Sequence, residues 1–340
     1  PESARRVLCD PQVEAAVLET ARGGILKGGL AFDRCRLSLF TGIGRDHLGQ
    51  DGLHTLEDLL WVKSLLADVV EEEGWLVLRD DDPLLQEMEE RQRRKRRIAR
   101  FGLADHPRRP LPDLYVGAKE HRLLLIREGR AQDLCSLADL PLLGERPPSF
   151  QIRNVAGALA GALALGVSLD EALAGLFSFT PTMNEGRFQR RLWQGVHILL
   201  DYGHNPDAWQ EVLVHLAAEN LGQIWGVIGV PGDRGEDWIR EAGALAARYC
   251  HRLVIKEDAD PRGRPRGATA RLLAEGALKA GYPPSSLTVL LDEGEAFRWA
   301  LHRARPGDRV VLFYETLEPH LAFLEGLPLP LPVPAFSTPL

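Results

Sequence analysis

Over its second half the chain repeats one unit, a short aliphatic run followed by a helical pattern. Such runs stand at His197 to Leu200, Ile224 to Val230, Leu253 to Ile255, Leu287 to Leu291 and Val310 to Phe313. Near-continuous apolar strands are buried on both faces, and strands that alternate with helices pair in parallel. The repetition therefore predicts an α/β fold with a parallel sheet covered by helices on both sides.

The first half alternates in the same way. Val13 to Leu18, Leu37 to Phe40 and Trp75 to Leu78 read as strands. Thr55-Leu56-Glu57-Asp58 forms a capping box that opens a helix through Val70. Residues 106 to 149 are rich in proline, with short alternating runs at Leu114 to Val116 and Leu123 to Ile126 that suggest a small β excursion. Ile152 to Leu165 and Leu169 to Phe177 read as helices, and Gly24-Ile25-Leu26-Lys27-Gly28 as a turn. Phe179-Thr180-Pro181-Thr182 breaks the helical pattern. The expected domains are residues 1–180 and 181–326, followed by an extended Pro-rich tail, Leu327 to Leu340.

A chain of 340 residues with 45% hydrophobic and 26% charged residues fits two globular domains, and a net charge of -7 gives no electrostatic case for nucleic acid. The basic run Arg91 to Arg97 follows an acidic helical stretch and reads as a solvated helix end. The cysteines Cys9, Cys35, Cys135 and Cys250 are widely spaced, which fits a reduced, cytoplasmic protein rather than a disulfide or zinc scaffold. No run reaches the roughly 18 apolar residues of a membrane span, so no membrane role is expected.

Open α/β sheets bind ligands at the carboxyl ends of their strands. Glu19 follows the Val13 run, and His47 follows the Leu37 strand within Thr41-Gly42-Ile43-Gly44-Arg45-Asp46-His47-Leu48-Gly49. A carboxylate and an imidazole at one edge can hold a divalent metal. Alone, each reads as readily as a turn cap or a loop histidine. Lys63 lies beside the apolar positions Leu56, Leu59, Leu60 and Leu66 of its helix. A buried amine needs a partner. Carbamylation by carbon dioxide, giving an anionic ligand, is one solution; a head group that reaches solvent is the other.

Three later strands also end in polar groups: Asp201-Tyr202-Gly203-His204-Asn205, Gly232-Asp233-Arg234-Gly235 and Lys256-Glu257-Asp258. Polar strand-end loops are common, but three in succession favour ligand binding. Arg187, between the two expected domains, suits a phosphate. No G-x-x-x-x-G-K-[ST] segment occurs, so these residues encode no phosphate-cradling P-loop.

In this order the motifs resemble the Mur ligase superfamily, in particular the Mur-like domain of the cyanophycin synthetases. The resemblance runs from about Pro1 to Gly326. It is carried by Glu19 to Gly24, Asp46 to Gly49, Val230-Pro231-Gly232-Asp233-Arg234, Ile255 to Asp258 with Arg262-Gly263-Arg264, and Phe313-Tyr314-Glu315 with Leu317-Glu318-Pro319.

The resemblance implies a central P-loop-type ATPase domain, here incomplete, followed by a Rossmann-like C-terminal domain. It also implies ATP-dependent amide-bond formation through an acyl phosphate. Glu19 and His47 would hold Mg2+, Lys63 would match the carbamylated lysine, and Asn154 would face adenine. Arg187 and Asp201 would meet phosphate and ribose, with His204, Asn205 and Arg234 lining the cleft. The implied substrates are an amino acid such as arginine and an aspartyl polymer; no nucleic acid is expected, and a homo-oligomer is left open. The acidic loop Glu257-Asp258-Asp260 is a candidate for the cationic amine.

Two departures stand out. Gly42 replaces an asparagine common in the family, and the family's P-loop would lie before Pro1. The expectation is thus an N-terminally truncated ligase with negligible turnover by itself. The alternatives are a non-catalytic nucleotide- or partner-binding derivative, and a ligase for peptidoglycan precursor or polyglutamate.

Overall fold

The computed structural model describes residues 2–45, 48, 51–104 and 107–327, and the chain divides at Thr180/Pro181 into two compact units. His47, Asp46, Gly49 and the tail from residue 328 lie outside the described residues. Among the described residues no helix is long and apolar enough to cross a membrane.

The first unit comprises α1 (Glu2–Leu8), α2 (Arg22–Gly28), β1 (Cys35–Phe40), α3 (Leu56–Asp68), β2 (Val70–Arg79), α4 (Pro83–Gln92), β3 (Arg97–Phe101), β4 (Leu114–Lys119), β5 (Arg122–Arg127), β6 (Arg130–Ser136), α5 (Ser149–Ala164) and α6 (Leu169–Ser178). Its six-stranded sheet runs in the order β1-β2-β3-β4-β5-β6. The first four strands are parallel and the last three form an antiparallel meander.

Strand alternation feeds two cores. Val77, Ala99, Phe101 and Val116 pack with Ala156, Leu159 and Ala160 of α5 on one face. Phe40, Leu76, Leu78 and Ile98 pack with Leu59, Leu60, Leu85 and Met88 of α3 and α4 on the other. Gly157 lets α5 settle onto the sheet, since a Cβ there would lie 3.2 Å from the Phe101 ring. The capping box of α3 forms as its sequence predicts: Thr55 Oγ1 accepts the Asp58 N–H at 3.1 Å and Asp58 Oδ2 accepts the Thr55 N–H at 2.9 Å.

Two expectations are corrected. Val13 to Leu18 is not a buried strand: the segment forms no regular secondary structure and pairs with no strand among the described residues, and Val17 is 96% exposed. A β-prone run becomes a strand only when its backbone and apolar face find partners. Here β1 forms the edge of the sheet among the described residues. Gly24 to Gly28, expected as a turn, belongs to α2, which ends at Gly29 with φ 65°. Burial of Ile25 and of Arg22, whose Nη1 meets Asp51 Oδ2 at 2.5 Å, outweighs the poor helix propensity of glycine.

The second unit comprises β7 (Gln189–Trp193), β8 (Val196–Asp201), α7 (Pro206–Ala218), β9 (Ile224–Ile228), α8 (Glu236–Tyr249), β10 (Arg252–Ile255), α9 (Ala268–Lys279), β11 (Leu287–Val289), α10 (Glu293–Arg303), β12 (Arg309–Phe313) and α11 (Glu318–Glu325). The sheet order is β11-β10-β9-β12-β8-β7, all parallel except the antiparallel edge pair β8–β7.

Ile198, Leu200, Val227, Val254, Val310 and Leu312 form one core with Phe297, Ala300 and Leu301 of α10. Trp209 of α7, fully buried, stacks on Phe313 at 5.4 Å. Helices α8 and α9 touch through glycines: a Cβ on Gly243 would lie 2.0 Å from the Leu273 carbonyl oxygen, and one on Gly276 2.0 Å from that of Arg240. Since β12 inserts between β8 and β9, the chain order reverses there, and the carboxyl ends of strands at such a reversal are where open α/β sheets bind ligands.

Candidate functional site

Strand β8 delivers Asp201 to that edge. Its carboxylate is buried; Oδ1 accepts the Gly203 N–H at 2.7 Å and Oδ2 the Phe188 N–H at 2.8 Å. Burial pushes its pKa up, against these bonds and the charges of Arg187 and His204. One side chain thereby ties the segment before β7 to the loop after β8. Tyr314, at the end of neighbouring β12, adds a second tie by donating its hydroxyl to the Gly186 carbonyl at 2.9 Å. Burial pushes this phenol up to about 12, so it stays a donor at neutral pH.

The Arg187 guanidinium sits 4.8 Å from the centroid of the Tyr202 ring. Tyr202 in turn lies 5.6 Å from the Tyr314 ring and 5.2 Å from the His204 ring. His204 Nδ1 is 3.2 Å from the Tyr202 carbonyl oxygen. The structure therefore gathers Arg187, Asp201 and His204 around two tyrosines. An exposed guanidinium steadied on an aromatic face can meet an anion. Asp201 uses two of roughly four lone-pair sites on its fixed bonds, which leaves room for a hydroxyl donor. Asn205, by contrast, is an N-cap: its Oδ1 accepts the Ala208 N–H at 2.8 Å and starts α7.

Arg234 belongs to a separate group at the end of β9. It is buried, with Nη1 3.6 Å from Asp233 Oδ1 and its guanidinium 5.7 Å from the Trp238 ring. Arg264 donates to the carbonyls of Gly232 at 2.5 Å and Arg234 at 2.6 Å, while Arg262 reaches Asp233 at 3.2 Å.

The acidic loop after β10 differs from its expected use. Glu257 accepts the Gly267 and Ala270 N–H groups at 2.7 and 3.0 Å and so caps α9. Asp258 accepts from Lys256 Nζ at 3.0 Å, and Glu293 meets the same ammonium at 2.7 Å. Glu293 also meets His320 Nε2 at 2.7 Å and accepts the Glu315 N–H at 2.7 Å. Glu315 in turn accepts the Ala259 N–H at 2.6 Å, which joins the ends of β10 and β12.

Sequence reasoning singled out Lys256 but missed its partner Glu293, which lies on the first turn of α10 and has no local signal. Burial alone would raise the Glu293 pKa. The His320 hydrogen bond and the Lys256 charge outweigh it and hold the carboxyl down at about 2.

In the first unit, half-buried Lys63 donates to the Gly42 carbonyl at 3.1 Å. Asp82 Oδ2 accepts the Ile43 N–H at 2.8 Å, and its Oδ1 caps α4 through Leu84 and Leu85. The carboxyl ends of β1 and β2 and the helix bearing Lys63 thus meet. The aspartate run after β2 was visible in the sequence, but only its Asp82–Ile43 bond shows that it holds the loop. Asn154 is exposed on α5.

Glu19 is exposed in the irregular segment before α2 rather than at a strand end. His47 lies outside the described residues. Among the described residues no group of three or more His, Cys, Asp or Glu side chains converges to hold a metal ion.

Residues 3–162 match the family model of the Mur ligase middle domain, and residues 186–313 that of the Mur ligase glutamate ligase domain. The chain is 36% identical over 331 residues to a cyanophycin synthetase of Crocosphaera subtropica, a match that covers 93% of this chain and 37% of that protein. It is 34% identical over 338 residues to a cyanophycin synthetase of Synechocystis, covering 96% of this chain and 38% of the relative. The chain thus spans under two-fifths of the length of these relatives. Among solved structures, E. coli FolC in complex with ADP shares the fold, with a TM-score of 0.62 at 19% identity, over 87% of this chain and 62% of FolC.

Proposed function

The chain belongs to the Mur ligase family, and on that premise we propose that it takes part in ATP-dependent joining of a carboxylate to an amine, with an aspartate side chain and arginine as the pair. The observation that carries this reading is the 36% identity to a cyanophycin synthetase, held over 93% of the chain and hence through both units.

In the proposed reaction a carboxylate oxygen attacks the γ-phosphorus of ATP and ADP leaves. The deprotonated amine then attacks the acyl carbon of the acyl phosphate. Phosphate departs, nitrogen loses a second proton and an amide remains. Charge that builds on the transferring phosphoryl group calls for fixed cations. Arg187, exposed and steadied on Tyr202, is the cation we assign to phosphate, and Asp201 the acceptor for a ribose hydroxyl. His204 and Arg234 are assigned to substrate at the same carboxyl edge, and Asn154 to adenine. Asn205 contributes by starting α7.

A magnesium ion would be held chiefly by the ATP phosphates and would neutralise their charge, since this ion keeps several waters and takes only one or two protein ligands. Glu19 and His47 are the proposed ligands, and Lys63 the proposed carbamylation site. With Glu257 and Asp258 already engaged and Asp233 paired with Arg234 and Arg262, Asp260 is the acid we assign to a cationic amine.

The test replaces the matching segment of the Crocosphaera subtropica enzyme with residues 1–327 and measures phosphate release with ATP, magnesium and an aspartyl peptide. Release with arginine about tenfold or more above that with glutamate or diaminopimelate is expected. Release with one of those amines and not with arginine reassigns the substrate. These 340 residues hold no P-loop segment, and assayed by themselves they are expected to release negligible phosphate. Clear turnover sinks that part of the proposal. Nucleotide binding without turnover in the hybrid would favour a binding role instead.

A further inference from the structure

The first unit carries a cleft of about 390 Å³ between the β5–β6 hairpin and the turn from α5 to α6. It lies toward the amino edge of the sheet, since Arg127, at the end of β5, pairs with Leu114, where β4 starts. The Lys63 and Asp82 groups stand at the opposite, carboxyl edge. A cleft of this size is within the range that holds a small ligand.

The hairpin supplies Leu125, Arg127, Arg130 and Gln132, and its register sets them side by side. Glu128 and Gly129 take φ of 52° and 74°, the signs of a two-residue type I′ turn. Arg127 therefore pairs directly with Arg130, and Leu125 with Gln132. Residues two apart on a strand share a face. Leu125 is buried in the core against α5, so both arginines rise on the α5 side. Directly paired residues hold their Cβ atoms about 5 Å apart, so the two guanidiniums converge on one wall of the cleft.

Like charges directly opposite each other are destabilising unless something neutralises them. On the outer face of the same hairpin Arg122 has Asp133. Arg127 and Arg130 have no ion-pair partner among the described residues, and no aspartate or glutamate lines the cleft. Glu171, in the first turn of α6, is engaged with Ser168, whose N–H and hydroxyl donate to its Oε2 at 3.2 and 2.5 Å. Both arginines are exposed, so a solute can reach them.

The opposite wall is apolar: Leu163 is buried, Leu169 half-buried and Val167 exposed. The turn that carries Val167 is fixed by Gly166, at φ 89°, and by the bond of the Val167 N–H to the Ala162 carbonyl at 3.1 Å. Two adjacent guanidiniums facing a preformed apolar wall suit a ligand with an anionic head and an apolar body. We propose that this cleft binds a small organic anion, with its carboxylate or phosphate at Arg127 and Arg130 and its apolar body against Leu163, Val167 and Leu169. The proposal does not rest on the ligase reading, which concerns the carboxyl edges of the two sheets.

The experiment titrates the whole chain with phenyl phosphate and with phenylacetate at constant ionic strength, and with inorganic phosphate as an anion that has no apolar body. Binding is read by isothermal titration calorimetry. One of the two aromatic anions is expected to bind about tenfold or more tightly than inorganic phosphate, and which one it is distinguishes a phosphate site from a carboxylate site. Arg127→Gln and Arg130→Gln should each weaken that binding about tenfold or more. Val167→Glu, which sets a carboxylate on the exposed wall, should abolish it, and Arg187→Gln, in the second unit, should leave it unchanged. Without ligand, the two arginine variants should unfold no lower than the wild type, because each relieves cross-strand repulsion.

The absence of binding by either aromatic anion would overturn the proposal. Binding that survives both Arg127→Gln and Arg130→Gln would overturn it as well, and its loss in Arg187→Gln would then place the anion in the second unit. Inorganic phosphate that binds as tightly as the aromatic anions would mean an adventitious ion only. Ligand-free arginine variants that unfold several degrees early would mean that the guanidiniums already have partners in the fold, which also contradicts the proposal.

Discussion

Replacing Lys256 by methionine tests the polar network behind the carboxyl edge of the second unit. The ammonium is 1% exposed and lies 3.0 Å from Asp258 and 2.7 Å from Glu293. Removing one partner of a buried ion pair costs about 3–5 kcal/mol, because it leaves uncompensated charge in a poorly solvated place. Glu293 keeps its contact with His320 and the N–H of Glu315, so the lower end, about 3 kcal/mol, is expected. For a unit of this size that is a fall of roughly 9 °C in Tm.

Trp209 is a suitable reporter for urea unfolding, since it is fully buried and stacks on Phe313, next to Tyr314 and Glu315. The pH dependence carries the same signature. Glu293 is held at about 2 against an ordinary 4.5. A depressed carboxyl stabilises the fold above its unfolded pKa and loses that contribution as pH falls from 4.5 toward 2. At 1.36 kcal/mol per unit, the contribution is about 3 kcal/mol.

Lys256→Met should flatten much of this acid limb. Adding Asp258→Leu and Glu293→Gln should recover part of the lost stability, because no uncompensated buried carboxylate then remains. A Lys256→Met protein within about 1 kcal/mol of wild type, with an unchanged acid limb, would refute the reasoning.

Two further substitutions have definite signs. Gly243→Ala gains about 1 kcal/mol of helix propensity but sets a methyl 2.0 Å from the Leu273 carbonyl oxygen. Net destabilisation of about 1–3 kcal/mol is therefore expected in urea unfolding; a stabilised variant would mean that α8 and α9 do not pack this closely. Asn205→Ala removes the N-cap of α7 and should lower stability by about 1 kcal/mol. Unaltered stability in the same measurement would free Asn205 for the ligand role first assigned to it.

The parallel sheet of the second unit was legible because its strands are short apolar runs, each flanked by a helical pattern. Val310 to Phe313 and Leu253 to Ile255 fall within β12 and β10. The edge strand β7 was not legible. Gln189-Arg190-Arg191-Leu192-Trp193 pairs on one side only and exposes Arg190, Arg191 and Leu192, so its composition carries little strand signal. The opposite error occurred at Val13 to Leu18, where a run with good strand propensity has no sheet partner and leaves Val17 in solvent.

At the site, Asp201, Arg187 and His204 could be placed because strand ends are short and local. Glu293 could not, because its role arises from what the fold sets around it, Lys256 and His320, rather than from its sequence neighbours. Asn205 was legible as polar, but only its bond to Ala208 shows that it serves the helix.

The central claim, that this chain supports ligation through an acyl phosphate, is tested most directly by oxygen transfer. An aspartyl peptide with 18O in its side-chain carboxylate would be incubated with ATP, magnesium and arginine in the hybrid enzyme. The released phosphate would then be analysed by mass spectrometry. Attack of the carboxylate on the γ-phosphorus predicts one labelled oxygen in each phosphate released, with ADP as the other product. Unlabelled phosphate, or AMP and pyrophosphate in place of ADP, would contradict the account.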